Sequence, residues 1–437
     1  MIKYCLLLCT FIIITFCSTT TSVAQQTTLI QTYYDSAQTI LKEKYYVLDK
    51  DSSMVQGMYQ KYYEDGQLAT TASFEKGKLS GALKDYYTDG SLQRLTPFEK
   101  GIKNGEVIVL SPQGDTIQTA TYVNDTLQGA LKLYYNDGTL KNKTQFLNGK
   151  PEGKIEAYYP NGNLQEEITY QGGQQHGPAK RYYKDGSIRV ELNYQKGVVD
   201  GLVTEYHPNG QVADKTTFRK GQRHGSSQSY SQEGQLLRDE VYKEGFLDGE
   251  AKYYFQDGSL KMQSQYRKGK EIGEHKTYFS NGQLSALLIH EDEGISKKQY
   301  YEDGTLKAEQ AYSQDKKPKG SWKSYYPNAK PKKEEPYQNG VLHGTLINYF
   351  ENGRIQSTQD YNKGRKTGKN KVYYPSGELK SETTYYFGAK QGPFKAFHED
   401  GSLAEEGTYS GGKKTGEWIT YDTQGNILDT KNYSNTK

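Results

Sequence analysis

Residues 78–101 decide the fold: Lys78-Leu-Ser-Gly-Ala-Leu-Lys-Asp-Tyr-Tyr87, then Thr88-Asp-Gly90, then Ser91-Leu-Gln-Arg-Leu-Thr-Pro-Phe98, then Glu99-Lys-Gly101. Two runs of strand length each end in a glycine turn, the pattern of a β-hairpin feeding the next hairpin. The phrase of aromatic pair, two turn residues and glycine returns with its glycine at 66, 90, 114, 138, 162, 186, 210, 234, 258 and 282, each 24 residues after the last. It resumes at 304, at 329 (where Ala329 replaces glycine), and at 353, 377, 401 and 425. So regular a return predicts a repeat array in which each unit touches only its neighbours. The expected fold is all-β, an elongated open antiparallel β-meander or solenoid of about sixteen 24-residue β-hairpin repeats.

Turn chemistry sets the expected register. Pro112, Pro160, Pro208, Pro327 and Pro375 stand two residues before the turn glycine or its substitute. Proline there suits the first central position of a type I turn, with glycine taking the left-handed position of a three-residue loop. Tyr87 then opposes Ser91 and Tyr86 opposes Leu92. The second turn, Glu99-Lys100-Gly101, reads as the same three-residue form. That parity predicts Tyr86, Leu92 and Phe98 on one core face, and the second ring of each pair on a wetter opposite face. An isolated hairpin of this kind is marginal in water, so stability should come from stacking.

Composition agrees with a water-exposed β-protein. Hydrophobic content is 34% and mean hydropathy −0.92, yet there are 41 Tyr and 13 Phe, so rings replace an aliphatic core. At the N-terminus, Lys3 precedes an apolar run from Tyr4 to Cys17 that is too short to cross a bilayer. Ser22-Val23-Ala24 follows, predicting a signal peptide over 1–24, cleavage before Gln25, and export to the periplasm, cell surface or medium. The bulky Phe16 before Cys17 argues against lipid attachment there. Cys5, Cys9 and Cys17 all fall in this segment, so the mature chain is expected to have no disulfide, Cys-bound metal or thiol nucleophile. It should also carry no integral membrane span. Losing Lys3 leaves a mature charge of +3, with Lys and Glu interspersed, which excludes a nucleic-acid stripe.

After a capping segment over 25–56, regular repeats are expected over 57–284 and 337–437, separated by irregular repeats over 285–336. There the glycine spacing falls to 22 and then rises to 25, Pro331 takes the leucine slot, and Pro336 precedes Tyr337. Both prolines are expected to interrupt a ladder. The segment reads as a hinge or a worn repeat, with Lys316, Lys317 and Lys319 as a basic docking spot.

Chemistry is sparse. His176, His224 and His343 share one slot, but the nearest pair is two repeats apart, about 19 Å across four strands, too far for one metal ion. Asp65, Asp89, Asp137, Asp185, Asp257, Asp303 and Asp400 precede the turn glycine and read as turn formers. There is no Gly-x-Ser-x-Gly elbow and no phosphate loop. Nearly every polar candidate is a copy, whereas a catalytic site needs a unique constellation. No catalytic, cofactor-binding or metal-binding residue is therefore expected. The candidates for partner binding are the second rings Tyr135, Tyr159, Tyr183, Phe255, Phe279, Tyr326, Phe350 and Tyr374, set among Lys and Glu. They either stack on sugars or an extended partner, or cover neighbouring aliphatics.

The units Tyr158-Tyr159-Pro160-Asn161-Gly162-Asn163-Leu164 and Tyr170-x-x-Gly173-x-x-x-Gly177 resemble the MORN-type repeat in its bacterial variant. Proteins built of that variant are commonly labelled antitoxin components of the YwqK type. The resemblance covers about residues 57–437. It implies an open antiparallel sheet used for binding, with phospholipid or protein partners. Joined to the export signal, the expectation is a non-enzymatic extracytoplasmic scaffold that binds a protein or cell-envelope glycan along its surface. The alternatives are peripheral binding of phospholipid headgroups and antitoxin-like inhibition of a partner protein.

Overall fold

The computed structural model describes residues 26–433. The expected signal peptide, with its three cysteines, lies outside them. The described chain is strand and turn without helix, antiparallel in every pairing, and falls into two compact units that divide between Gln174 and Gln175. In the first unit, Thr27–Tyr33 pairs with Leu41–Leu48, which pairs with Val55–Tyr62, so the capping segment is itself sheet. Hairpin then follows hairpin to Leu164–Gln171. The second unit repeats the same meander up to Ile427–Tyr433.

The first turn forms as its residues dictate. Tyr87 N–H donates to Ser91 O at 2.8 Å, Gly90 N–H donates to Tyr87 O at 3.0 Å, and Gly90 sits at φ +84°. Tyr86 pairs with Leu92 as expected, but Asp85 pairs with Arg94, leaving Gln93 as an extra residue. This β-bulge changes the parity of everything beyond it. Directly paired residues share a face, so Tyr86, Leu92, Lys84 and Leu95 lie on one face and Leu83, Thr96 and Phe98 on the other. The expected grouping of Tyr86, Leu92 and Phe98 is thereby corrected. The same shift recurs at Tyr206–Val212, Tyr254–Leu260 and Tyr373–Leu379.

The second turn is also corrected. Glu99 pairs with Ile102 around Lys100 (φ +53°) and Gly101 (φ +84°), a two-residue type I′ turn. A two-residue bulge follows, because Phe98 pairs with Lys103 while Leu95 pairs with Ile108. These insertions explain the irregular spacing. From Ala286–Gln299 to Glu291–Gly294 the register never shifts, so that repeat lacks the two bulge residues. In the next repeat Ser313 N–H donates to Lys317 O at 2.9 Å around Lys316 at φ +58°, a turn one residue longer.

Pairing runs on through 285–336, and the prolines expected to interrupt it do not. Pro331 opens its strand opposite Tyr325, where proline is tolerated. The Pro336 carbonyl accepts the His343 N–H at 2.9 Å, so its ring nitrogen faces the bulge, where the ladder has already opened. Pro97 does the same with Asn104.

The bulged register builds a narrow core of one or two buried residues in many of the strands. In the second unit the pairs Ala179–Leu192, Val203–Thr216, Thr216–Ser227, Ser227–Glu240, Glu240–Ala251 and Ala251–Ser264 form a row crossing the strands, half-buried at Val203 and buried at the others. Ser227, Ala251 and Ser264 are each 0% exposed. The row is small because rings from flanking positions lean over it. The hydroxyls of Tyr242 and Tyr253 both reach Glu240, and Trp322 packs between Tyr312 and Tyr337 at 4.9 and 4.8 Å. Where the row residue is itself large the partner shrinks, as Gly407 does opposite Phe394 and against Trp418.

Candidate interaction surface

The second ring of each aromatic pair has a structural duty that the sequence left open. Beyond the last ladder pair of a strand, the carbonyl of the first ring has no strand partner. A second-ring hydroxyl of the preceding repeat supplies one, since buried backbone groups need partners. Tyr63 donates to Tyr86 O at 2.7 Å, Tyr135 to Tyr158 O at 2.8 Å and Tyr183 to Tyr206 O at 2.7 Å. Tyr326 donates to Tyr349 O and Tyr374 to Phe397 O, both at 2.9 Å. His207 and His398 occupy the same slot and place Nε2 3.0 Å from the corresponding carbonyls of Tyr230 and Tyr421. Their shared slot was visible in the sequence, but their shared hydrogen bond was not. Phe255, Phe279 and Phe350 keep the ring without the hydroxyl. All eight candidate rings, Tyr159 included, are half-buried.

The bulge adds a second contact, since it aims the extra residue at the ring. Lys141, Lys261, Lys332 and Lys380 hold Nζ 5.1–5.6 Å from the ring centres of Tyr135, Phe255, Tyr326 and Tyr374. The expected basic spot meets acid: Lys319 Nζ lies 3.1 Å from Glu293 Oε2, in the acidic turn 291–293 of the preceding hairpin. Lys316 and Lys317 are exposed beside it.

Because strands alternate in direction, the two turn types collect at opposite edges of each unit. At the first-turn edge, Asp89 accepts Ser91 N–H at 2.9 Å and Ser91 Oγ at 2.6 Å. These bonds, the side-chain one foremost, hold the Asp89 carboxyl below its ordinary range, and likewise Asp185, Asp257 and Asp400. At the second-turn edges, Lys76 and Lys100 in the first unit and Lys196, Lys220, Lys268 and Lys363 in the second take the left-handed position at φ +48° to +53°. Beside them Ile102, Val123, Leu147, Val198, Phe246 and Val341 are 40–59% exposed. One edge is thus acidic, and the other is rich in lysine and exposed apolar side chains, broken by acid at Glu244 and at the turn 291–293.

Two polar clusters on the core face escaped the sequence reading. Glu240, 3% exposed, accepts the Tyr242 hydroxyl at 3.0 Å and the Tyr253 hydroxyl. Glu271 Oε1 lies 2.8 Å from Ser264 Oγ and 2.6 Å from His275 Nδ1, with His290 Nε2 3.3 Å from Oε2. Burial pushes the Glu271 carboxyl up, but Ser264, His275 and the second imidazole outweigh it and hold the group low. Ser264 and Glu271 both meet the same nitrogen, Nδ1 of His275, so this cluster is not arranged as a serine–histidine–carboxylate relay. Among the described residues, no three His, Cys, Asp or Glu are placed to hold a metal.

The MORN repeat variant family matches residues 55–76, 127–148, 151–171, 175–196, 199–220, 247–268, 318–339, 342–363, 366–385 and 390–410. The chain is built of MORN repeats. The MORN matches start near one strand of a hairpin and end at a second turn, so they follow the structural unit just described. No curated protein matches the chain. Among solved structures, the TcdB2-TccC3-Cdc42 crystal structure is similar at 12% identity over 87% of this chain and 23% of its own, with a TM-score of 0.15. TcdB2-TccC3 without its hypervariable C-terminal region matches at 12% over 94% and 31%, TM-score 0.15. The Photorhabdus luminescens Tc holotoxin pore matches at 12% over 90% and 30%, TM-score 0.14. This chain thus spans less than a third of those chains, and at such scores the likeness carries no argument.

Proposed function

We propose that this MORN-repeat protein is an extracytoplasmic, non-enzymatic scaffold that binds a protein or cell-envelope glycan along the edge of its repeats. The observation that carries the reading is the lysine-rich second-turn edge of the second unit, with its exposed Val198, Phe246 and Val341. Exposed apolar side chains repeated beside like charges form a surface suited to a partner. The polar groups of the rings and first turns support the same reading, because second-ring hydroxyls bond between neighbouring repeats and turn carboxylates bond within their own turns. Capture experiments with the mature chain and envelope fractions test it. Binding should fall when Lys196, Lys220 and Lys268 are changed together to Glu. A stable complex with a cytoplasmic protein and none with the envelope would overturn it in favour of antitoxin-like inhibition.

The same lysine-rich edge favours a second reading, peripheral contact with anionic phospholipid headgroups. Flotation with phosphatidylglycerol vesicles decides it: salt-sensitive co-flotation supports the lipid reading, and its absence removes it.

A further inference from the structure

The second turn at 386–389 carries a ring at its left-handed position. Tyr386 pairs with Ala389 around Phe387 and Gly388, and Phe387 adopts φ +47°. The equivalent position elsewhere carries residues such as Lys100, Asn148, Lys220 or Asn339. A bulky side chain is disfavoured in the left-handed region, and Phe387 gains no burial there. It is 66% exposed and Tyr386 is 63% exposed, the two rings meeting edge to face at 4.6 Å and 88°.

These rings form one wall of a 510 Å³ cavity. The other wall comes from the neighbouring turn: Asn362, Lys363, Arg365, Lys366 and Thr367. Its volume lies in the range of ordinary small-ligand sites. No carboxylate lines the cavity, and none of its three cations makes an ion pair among the described residues. Lys366 is instead held 5.2 Å over the Tyr385 ring.

We propose that this corner binds an acidic sugar residue of an anionic glycan. The proposal rests on the glycan arm of the proposed function and gives that arm a site. Aromatic faces are electron-rich and attract the C–H face of a sugar ring, and two perpendicular rings offer it a corner. Lys363 and Arg365 complement a sugar carboxylate, while the Asn362 amide and Thr367 hydroxyl, on the Arg365 and Tyr386 face of the sheet, suit its hydroxyl groups. An acyl chain would leave those two polar groups without partners. The adjacent turns, at Lys363 and at Gly411–Gly412, carry no ring, so the grip is local to one sugar residue and unlike a flat bilayer.

The test uses the mature chain with oligogalacturonate, a neutral cello-oligosaccharide of equal length, and phosphatidylglycerol vesicles. Salt-sensitive binding of oligogalacturonate is expected, weakened about tenfold or more in Tyr386→Gln/Phe387→Asn, as the loss of two aromatic contacts implies. Asparagine takes the same turn position at Asn124, Asn148 and Asn339, so folding should survive the change. Lys363→Gln/Arg365→Gln should lower both the affinity and its salt dependence. Equal binding by parent and variants, equal binding of the neutral oligosaccharide, or binding to vesicles alone would each overturn the site. If envelope material is still captured while oligogalacturonate is not, the site is refuted and the scaffold reading stands.

Discussion

Gly407→Ala tests the small-residue row directly. A Cβ built on Gly407 would lie 2.6 Å from Trp418 Cγ and closer still to Cδ2 and Cε2. Carbon atoms pack best at about 3.5–4.0 Å, and the nearest ring carbon, Cδ2, would lie at 2.2 Å, so the ring or the strand must move by about 1.3 Å or more. The ring has little freedom. Trp418 is 3% exposed, stacked on Phe394 at 5.2 Å, edge-on to Tyr409 at 5.0 Å, and capped by Lys414 at 3.7 Å. Overpacking in such a site costs about 1–3 kcal/mol, and the locked ring places this case near the upper end. In the Gly407→Ala background, Trp418→Leu should recover part of the loss, giving a coupling of about 1 kcal/mol or more between the two sites. Unfolding of a repeat array need not be two-state, so the measurement is hydrogen exchange in the strands Leu403–Ser410 and Lys413–Tyr421. A Gly407→Ala effect within 0.5 kcal/mol of zero, or simple additivity with Trp418→Leu, would refute the packing argument.

Tyr183→Phe removes the hydroxyl on Tyr206 O while leaving the ring, and should cost about 1 kcal/mol in local opening of the strand Gly201–Tyr206; protection unchanged by the substitution would deny the hydroxyl its role. The Asp35 carboxyl accepts from Ile40 N–H, Thr39 Oγ1 and Thr39 N–H, which lower its pKa to about 2. A depressed folded pKa means that its contribution is complete above about pH 4, the unfolded value, and is lost as pH falls through 2. The amides of Thr39 and Ile40 should therefore lose protection in that window, and Asp35→Asn should abolish the pH dependence; flat protection from pH 5 to 2 would contradict this. The hinge reading of 285–336 predicts early tryptic cleavage after Lys316, in the turn with the extra residue, since Lys317 is shielded by Pro318; cleavage spread evenly over the array would leave only a worn repeat.

The periodic glycines were enough to establish hairpins, repeat length and the first turn, because a left-handed position and a three-residue loop are local demands of Asp89-Gly90 and its copies. The MORN resemblance was legible for the same reason. Faces were not legible. Gln93 looks like any other strand residue, and only pairing across the hairpin reveals that Asp85 skips it to meet Arg94. One unseen bulge per repeat reverses the side on which Phe98 stands, so the expected aromatic core became a row of Ala, Ser and Thr beneath leaning rings. The side-chain bonds to carbonyls, from Tyr63 to Tyr86 and from His207 to Tyr230, were hidden likewise, since each joins residues 23 apart on separate hairpins. At Phe387 the sequence showed a ring where other repeats carry Lys or Asn. Its neighbours Lys363 and Arg365 became part of one cavity only when the sheet set the two turns side by side. Local turn chemistry is written in adjacent residues; face, row and corner are properties of register, which the pairing of distant strands decides.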